Sequence, residues 1–196
     1  MKNIYLIFFF IFFSLGADAA SDYSKYEIKE GNKNAKVKIF IFESLTCPHC
    51  ADFHKNIYPS LKSDFIDKGL VQIYFKSFPL DLAGLNASKI IHCLNNDNRL
   101  VFLHHLYKTQ NQWLKGEKIE DINNNLKKAL DDFGIKNIDF QKCIKDEEIE
   151  NLILNERIKA SKKYKIQSTP TVVINEKKFD KPLNYKNLKK AIEKLI

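Results

Sequence analysis

The chain has 196 residues, a mass of 22.9 kDa and a formal charge of +8. With 44% hydrophobic and 29% charged residues it has a globular composition, which excludes wholesale disorder and points to one domain, or one domain with a sizeable insertion. All basic residues but Arg99 and Arg157 are lysine, interspersed with Asp and Glu; planar recognition of phosphates and bases favours arginine, so nucleic-acid binding is excluded and solvated helix faces are expected.

The first element is an export signal. Met1-Lys2-Asn3 opens with a positive charge, Ile4 to Leu15 is an uncharged, almost wholly apolar run, and Ala17-Asp18-Ala19 has the small-x-small pattern of a cleavage site. Cleavage is expected after Ala19, leaving residues 20–196 as an exported protein with all four cysteines. The apolar run falls well short of the ~20 residues a membrane span needs, and no cysteine follows it to carry a lipid anchor. Five of the 15 phenylalanines, at positions 8, 9, 10, 12 and 13, belong to this segment and not to a core.

Val37 to Phe42 is strongly β-prone and predicts a buried central strand. From Pro48 to about Lys68, Ala51, Phe53, Ile57, Leu61 and Phe65 recur at helical spacing; Pro48 suits a first turn, Pro59 should kink or divide the helix, and Gly69 ends it. Leu70 to Phe75 predicts the next strand. Helices follow at Leu82–Asn95, Arg99–Gln110, Ile119–Phe133, Ile138–Lys145 and Glu147–Tyr164, broken at Asn96-Asp97-Asn98, Gly116 and Gly134. Thr171 to Ile174 is a strand that Lys177–Phe179 could join as a hairpin, and Tyr185–Ile196 is a final amphipathic helix. A β-α-β start predicts an α/β sheet with parallel members. The helical block at about 82–147 is too large for a simple crossover and should form a subdomain.

Chemistry concentrates at Cys47-Pro48-His49-Cys50. A C-x-x-C at the mouth of a helix directly after a strand is a redox arrangement. Cys47 falls where unpaired backbone N–H groups and the helix dipole favour a thiolate, His49 adds a nearby donor, and Cys50 lies within reach of a disulfide but less exposed. Stabilising the reduced form makes the disulfide a stronger oxidant, so these residues point to oxidation of substrates. Zinc is disfavoured, because Cys93 and Cys143 are isolated, and although His54 could join Cys47, Cys50 and His49, adjacent ligands in one helix turn fit a tetrahedral site poorly. His92, His104 and His105 lack metal spacing and are expected at the surface or in packing. No metal or cofactor is expected beyond the redox-active pair Cys47–Cys50.

The motif resembles the thioredoxin superfamily, and Pro48-His49 between the cysteines resembles its DsbA-like thiol:disulfide oxidoreductases. Ser168-Thr169-Pro170-Thr171 before an apolar strand, Ser44-Leu45-Thr46 before the motif, Phe78-Pro79-Leu80-Asp81 and the helical insertion carrying Cys93 and Cys143 are similar to the alphaproteobacterial type. The resemblance covers about residues 35–196. It implies a thioredoxin-like fold with an inserted all-helical subdomain, a cis Pro170 facing the active cysteines, and Thr169 backbone groups that pair with an extended client. The family's buried acid six residues before the first cysteine is replaced by Ile41. Glu43, two residues later on the same strand face, either takes over proton handling or is a solvent-facing strand end. The family's Gly before Thr-Pro is replaced by Gln167-Ser168, and its Asn-Gly hairpin turn by Asn175-Glu176.

Four cysteines allow three pairings. With Cys47–Cys50 set by the motif, a structural Cys93–Cys143 disulfide follows if both remain; the alternative is two buried free thiols. The resemblance implies a monomeric periplasmic dithiol oxidase acting through Cys47 on unfolded exported proteins with free cysteines, reoxidised by a DsbB-like quinone-linked membrane partner. Two alternatives stand beside it: a disulfide isomerase or client-specific reductase on the same fold, and a non-catalytic periplasmic chaperone or peptide-binding module.

Overall fold

A computed structural model describes residues 23–196; the export signal expected at 1–19 lies outside the described residues. A 3₁₀ turn at Tyr23–Tyr26 leads into β1 (Ile28–Gly31), followed by β2 (Val37–Glu43), α1 (Pro48–Asn56), α2 (Tyr58–Leu61) and a π-helical turn at Lys62–Ile66. The Pro59 ring cannot donate to the Lys55 carbonyl, and the helix divides at Ile57, one residue before α2. β3 (Val71–Ser77) then runs parallel to β2, the β-α-β unit expected from the sequence.

The insertion comprises α3 (Leu82–Cys93), α4 (Asn96–Lys108), α5 (Gln110–Trp113), α6 (Ile119–Asp132) and α7 (Phe140–Ile144). The break expected at Asn96-Asp97-Asn98 falls earlier. Asn95 caps α4, its side chain accepting from the Asn98 amide at 3.1 Å, so the three polar residues form the first turn. α8 (Glu147–Tyr164) returns to the sheet, starting on an Asp146 cap with Glu147, Glu148 and Glu150 in its first turn and ending on Lys162 and Lys163, which matches the helix dipole at both ends. β4 (Thr171–Ile174), β5 (Lys177–Lys178) and α9 (Tyr185–Glu193) complete the chain.

Among the described residues the strands form one sheet in the order β1-β3-β2-β4-β5. β2 is its centre, parallel to β3 and antiparallel to β4, so Ile39 lies opposite both Ile73 and Ile174. The strand β1 was not expected from the sequence. It pairs antiparallel with β3 at the edge, and Gly31 at its end has φ +97°, where a Cβ would meet the Val71 carbonyl oxygen at 2.3 Å. Asn175 and Glu176, at φ 44° and 67°, make the two-residue β4–β5 turn without glycine.

Alternation along β2 sends Val37, Ile39, Ile41 and Glu43 to one face and Phe40 and Phe42 to the other. The first face meets the main core, built with α1, the insertion and α9 and including Phe53, Phe75, Phe102, Trp113 and Leu188. The second meets a smaller cluster of Phe42, Phe78, Ala160, Ile166 and Val173 beneath α8. The end of β2 that carries the C-x-x-C loop is thus covered on both faces.

Candidate active site

Cys47 is the N-cap of α1 and Pro48 its first residue, where the missing proline N–H costs nothing. Helical spacing turns Cys50, Phe53 and His54 inward on one face, while Pro48 and His49 stay exposed. Cys47 is 5% exposed and Cys50 0%, and both thiols are free. Burial, followed by the negative charge of Glu43, pushes the Cys50 thiol far above its ordinary range.

The Cys47 thiol donates to the Thr169 carbonyl at 3.2 Å, and the Thr169–Pro170 peptide bond is cis. Thr169 and Pro170 also join His49, Asp52, Phe53, Asn56, Ile57 and Leu183 around a cavity of about 400 Å³ beside the motif. Thus Cys47, His49, Thr169 and Pro170, singled out from the sequence, lie together at one mouth.

The loop before the motif is held by the insertion. Gln110 on α5 donates its amide to the carbonyls of Leu45 (2.7 Å) and Cys47 (3.1 Å). Gly84 on α3 packs so closely that a Cβ would sit 2.9 Å from Ser44 Oγ. The insertion itself is closed by a Cys93–Cys143 disulfide joining the end of α3 to α7, with Cα atoms 5.9 Å apart.

Glu43 corrects one of the two expectations for it: the end of β2 does not face solvent. The side chain is buried, and its Oε2 lies 2.8 Å from His54 Nε2. His54 Nδ1 in turn lies 3.0 Å from His104 Nδ1, Tyr107 stacks on the His54 ring at 4.1 Å, and Tyr58 stacks on His104 at 4.5 Å. Burial, then the neighbouring His54, lowers His104 to about 3. Burial, then the Glu43 charge, raises the Tyr107 phenol well above its usual range. His104 was expected only as a surface or packing residue. The sequence signal for this cluster was His54, one turn after Cys50 on the same inward face, which marked a polar group under the motif. His92 is also buried, 3.1 Å from Ser77 Oγ. Among the described residues no group of three or more His, Cys, Asp or Glu is placed to hold a metal ion.

A helix-capping C-x-x-C beside an X-Pro loop, on a sheet with parallel and antiparallel members, is the arrangement of thiol–disulfide exchange proteins. The family described as Thioredoxin matches residues 24–194, and the chain belongs to it, within the DsbA-like part of the superfamily. It is 30% identical to a probable disulfide bond formation protein D of Bacillus anthracis over 173 residues, 84% of this chain and 76% of that one. It is also 30% identical over 151 residues to a putative protein-disulfide oxidoreductase of Rickettsia bellii, covering 74% of this chain and 55% of that protein; the chain therefore spans about half the length of that relative. Among solved structures, alpha-DsbA1 of Wolbachia pipientis superposes with a TM-score of 0.78 at 28% identity, over 86% of this chain and 90% of that one. The chain has a thioredoxin-like fold with an inserted helical subdomain.

Proposed function

We propose that the protein is an exported dithiol oxidase that introduces disulfides into unfolded client proteins through Cys47. The observation that carries this is the pairing of a helix-capping Cys47, touching the Thr169 carbonyl at the rim of an open groove, with a Cys50 that is fully enclosed. Only one sulfur can meet a client, and the other is a resolving thiol held in its protonated form by burial.

In the oxidised protein a client thiolate attacks Cys47 Sγ, the Cys47–Cys50 bond breaks, and Cys50 leaves with the bonding pair and takes up a proton. The client's second thiolate then attacks its own sulfur in the mixed disulfide and releases Cys47. The helix N-terminus at Cys47 stabilises a thiolate there and hence the reduced state, which favours oxidation of clients. The groove beside Thr169 and Pro170 suits an extended client segment, and thiol-bearing proteins are the substrate class that the relatives' names suggest. Glu43 supplies the proton-handling carboxylate that Ile41 cannot. No helix among the described residues is long and apolar enough to cross a membrane, which is compatible with a periplasmic site of action. A DsbB-like quinone-linked membrane protein is the proposed reoxidant, and a monomer the proposed state.

The test is the reduction potential of the Cys47–Cys50 pair, measured with oxidation of a reduced, unfolded client. A potential well above that of the glutathione pool with rapid client oxidation is expected. A strongly reducing potential would overturn the oxidase assignment, and full activity in Cys47→Ala would overturn thiol exchange altogether.

A further inference from the structure

The Glu43 carboxylate does not end at the cysteines. Its Oε2 is bonded to His54 Nε2, His54 Nδ1 faces His104 Nδ1, and both rings reach the wall of a second cavity of about 660 Å³ between α1 and α4. This cavity lies along a different face of α1 from the Thr169–Pro170 groove, with Asp52 between the two: Pro48, Ala51, Lys55, Lys108 and Gln110 line it, and Thr169 and Pro170 do not. At the inner end, Ser44, the residue after Glu43, makes a backbone contact to the Cys50 thiol, and Cys50 sits one helical turn before His54. Glu43 Oε1 and His104 Nε2 are both buried and make no hydrogen bond, so exchange of His104 Nε2 with cavity water requires motion of the His104 side chain in the cavity wall. Three groups thus form a line of short contacts from Glu43 to the wall of the cavity.

We propose that His54 and His104 are a proton relay that connects Glu43, and through it Cys50, to water in the cavity between α1 and α4. The inference rests on the thiol-exchange chemistry proposed above and adds the route by which the enclosed sulfur gains and loses its proton. During client oxidation Cys50 leaves as a thiolate. His104 Nε2 takes a proton from water, His104 Nδ1–H passes its proton to His54 Nδ1, and His54 Nε2–H protonates the Glu43 carboxylate, which protonates Cys50. During reoxidation by an external disulfide, Cys47 forms the mixed disulfide and Cys50 must attack it. The Cys50 S–H bond then breaks, the electron pair stays on sulfur, Glu43 receives the proton, and the chain runs outward until His104 Nε2 releases one proton to water. The two half-reactions run in opposite directions, so one cycle returns both imidazoles to their starting tautomers.

The surroundings suit a relay more than a fixed charge. Glu43 from β2, Tyr58 and Lys62 from the segment after α1, and Tyr107 from α4 face the two rings, while Asp52, Lys55 and Lys108 ring the cavity mouth. Tyr107 stacks on His54 and Tyr58 on His104, the two imidazoles meeting with their planes inclined at 63°, and burial keeps His104 neutral near pH 7, as a group that takes a proton on one nitrogen and gives one from the other must be. His54 is hydrogen-bonded to Glu43 and His104 to His54, not to a cysteine, and both act through Glu43.

The experiment mixes reduced protein with a small aromatic disulfide and resolves two steps by stopped flow: attack by Cys47, then displacement by Cys50. It is run from pH 5 to 9 on the wild type and on His104→Ala, His104→Gln and His54→Gln. The relay requires that the first step stay unchanged and the second slow by about tenfold or more, with an altered pH profile. It also requires that millimolar imidazole, entering through the cavity, restore the second step in His104→Ala but leave the wild type unaffected. Second steps at wild-type rate across the pH range in folded His104→Ala and His104→Gln would overturn the relay. So would slowing with no imidazole rescue and an unchanged pH profile, which is the signature of lost packing. Failure of the first step in the wild type would instead remove the thiol-exchange reading beneath it.

Discussion

The Cys47 sulfur sits 3.2 Å from the carbonyl oxygen of Thr169, a residue 122 positions away in the chain. That contact joins the end of β2 to the start of β4, two neighbouring antiparallel strands, and sets the reactive thiol at the rim of the groove while Cys50 is carried inward by the helix. The two sulfurs should therefore differ sharply toward alkylating agents. In the reduced, folded protein at pH 7.5, iodoacetamide should modify Cys47 at least about 100-fold faster than Cys50, because each unit by which a thiol is raised removes a factor of ten in thiolate. Mass mapping over time checks this, and equal rates in the folded state would contradict the enclosure of Cys50.

Gln110 ties the insertion to the motif. Its amide is the hydrogen-bond donor to the Leu45 carbonyl, whereas the Cys47 carbonyl also accepts from the helix amides of Cys50 and Ala51. Gln110→Ala should cost about 1–3 kcal/mol, the penalty for one buried acceptor left unpaired. Chemical denaturation reads the loss. Gln110→Glu should be worse, since a carboxylate cannot donate to either carbonyl when ionised.

The Cys93–Cys143 bond closes a loop spanning 50 residues within the insertion. Replacing both residues by serine should lower stability by about 2–4 kcal/mol, the typical range for a disulfide, while Cys47 continues to react with small disulfides. Urea midpoints under identical buffer conditions measure it. A double variant as stable as the wild type would mean that packing of α3 against α6 and α7 alone holds the subdomain.

Local patterns made much of the fold legible. The strand at Val37, the proline break near Pro59, α8 over Glu147–Tyr164 and β4 over Thr171–Ile174 all follow from periodicity and caps within a few residues of each element. β1 was not legible, because Ile28-Lys29-Glu30-Gly31 is a short edge strand with a single buried residue and no alternation to read. The same limit applies to the site. Cys47, His49 and Cys50 announce themselves within four residues, whereas His104 comes 50 residues after His54 and meets it only because α4 packs on α1. Glu43 was ambiguous for a related reason: alternation gave its face, but whether that face was covered depended on helices from the insertion.

Buried neutral histidines make stability depend on pH with a definite sign. Burial is the main cause that lowers both His92 and His104 to about 3, with the Arg99 charge adding at His92 and His54 at His104. Their ordinary value is 6.5, so below it the unfolded chain binds protons that the folded chain refuses. Their contribution is fully present above about pH 6.5 and is lost progressively as pH falls toward 3. Asp64 and Glu176 are lowered by hydrogen bonds from Tyr185 and Lys163 respectively, and their ordinary values of 3.8 and 4.5 confine their effect to the acid end of the range. Between pH 7 and 5 the histidines therefore dominate, and each should remove about 1–2 kcal/mol. His104→Gln should flatten this slope by one histidine's share while leaving stability below pH 4 steeply pH-dependent. Urea unfolding of both proteins at pH 5, 6 and 7 measures the difference; parallel slopes would mean that His104 accepts its proton in the folded state and that the ring is not enclosed as α1 and α4 enclose it here.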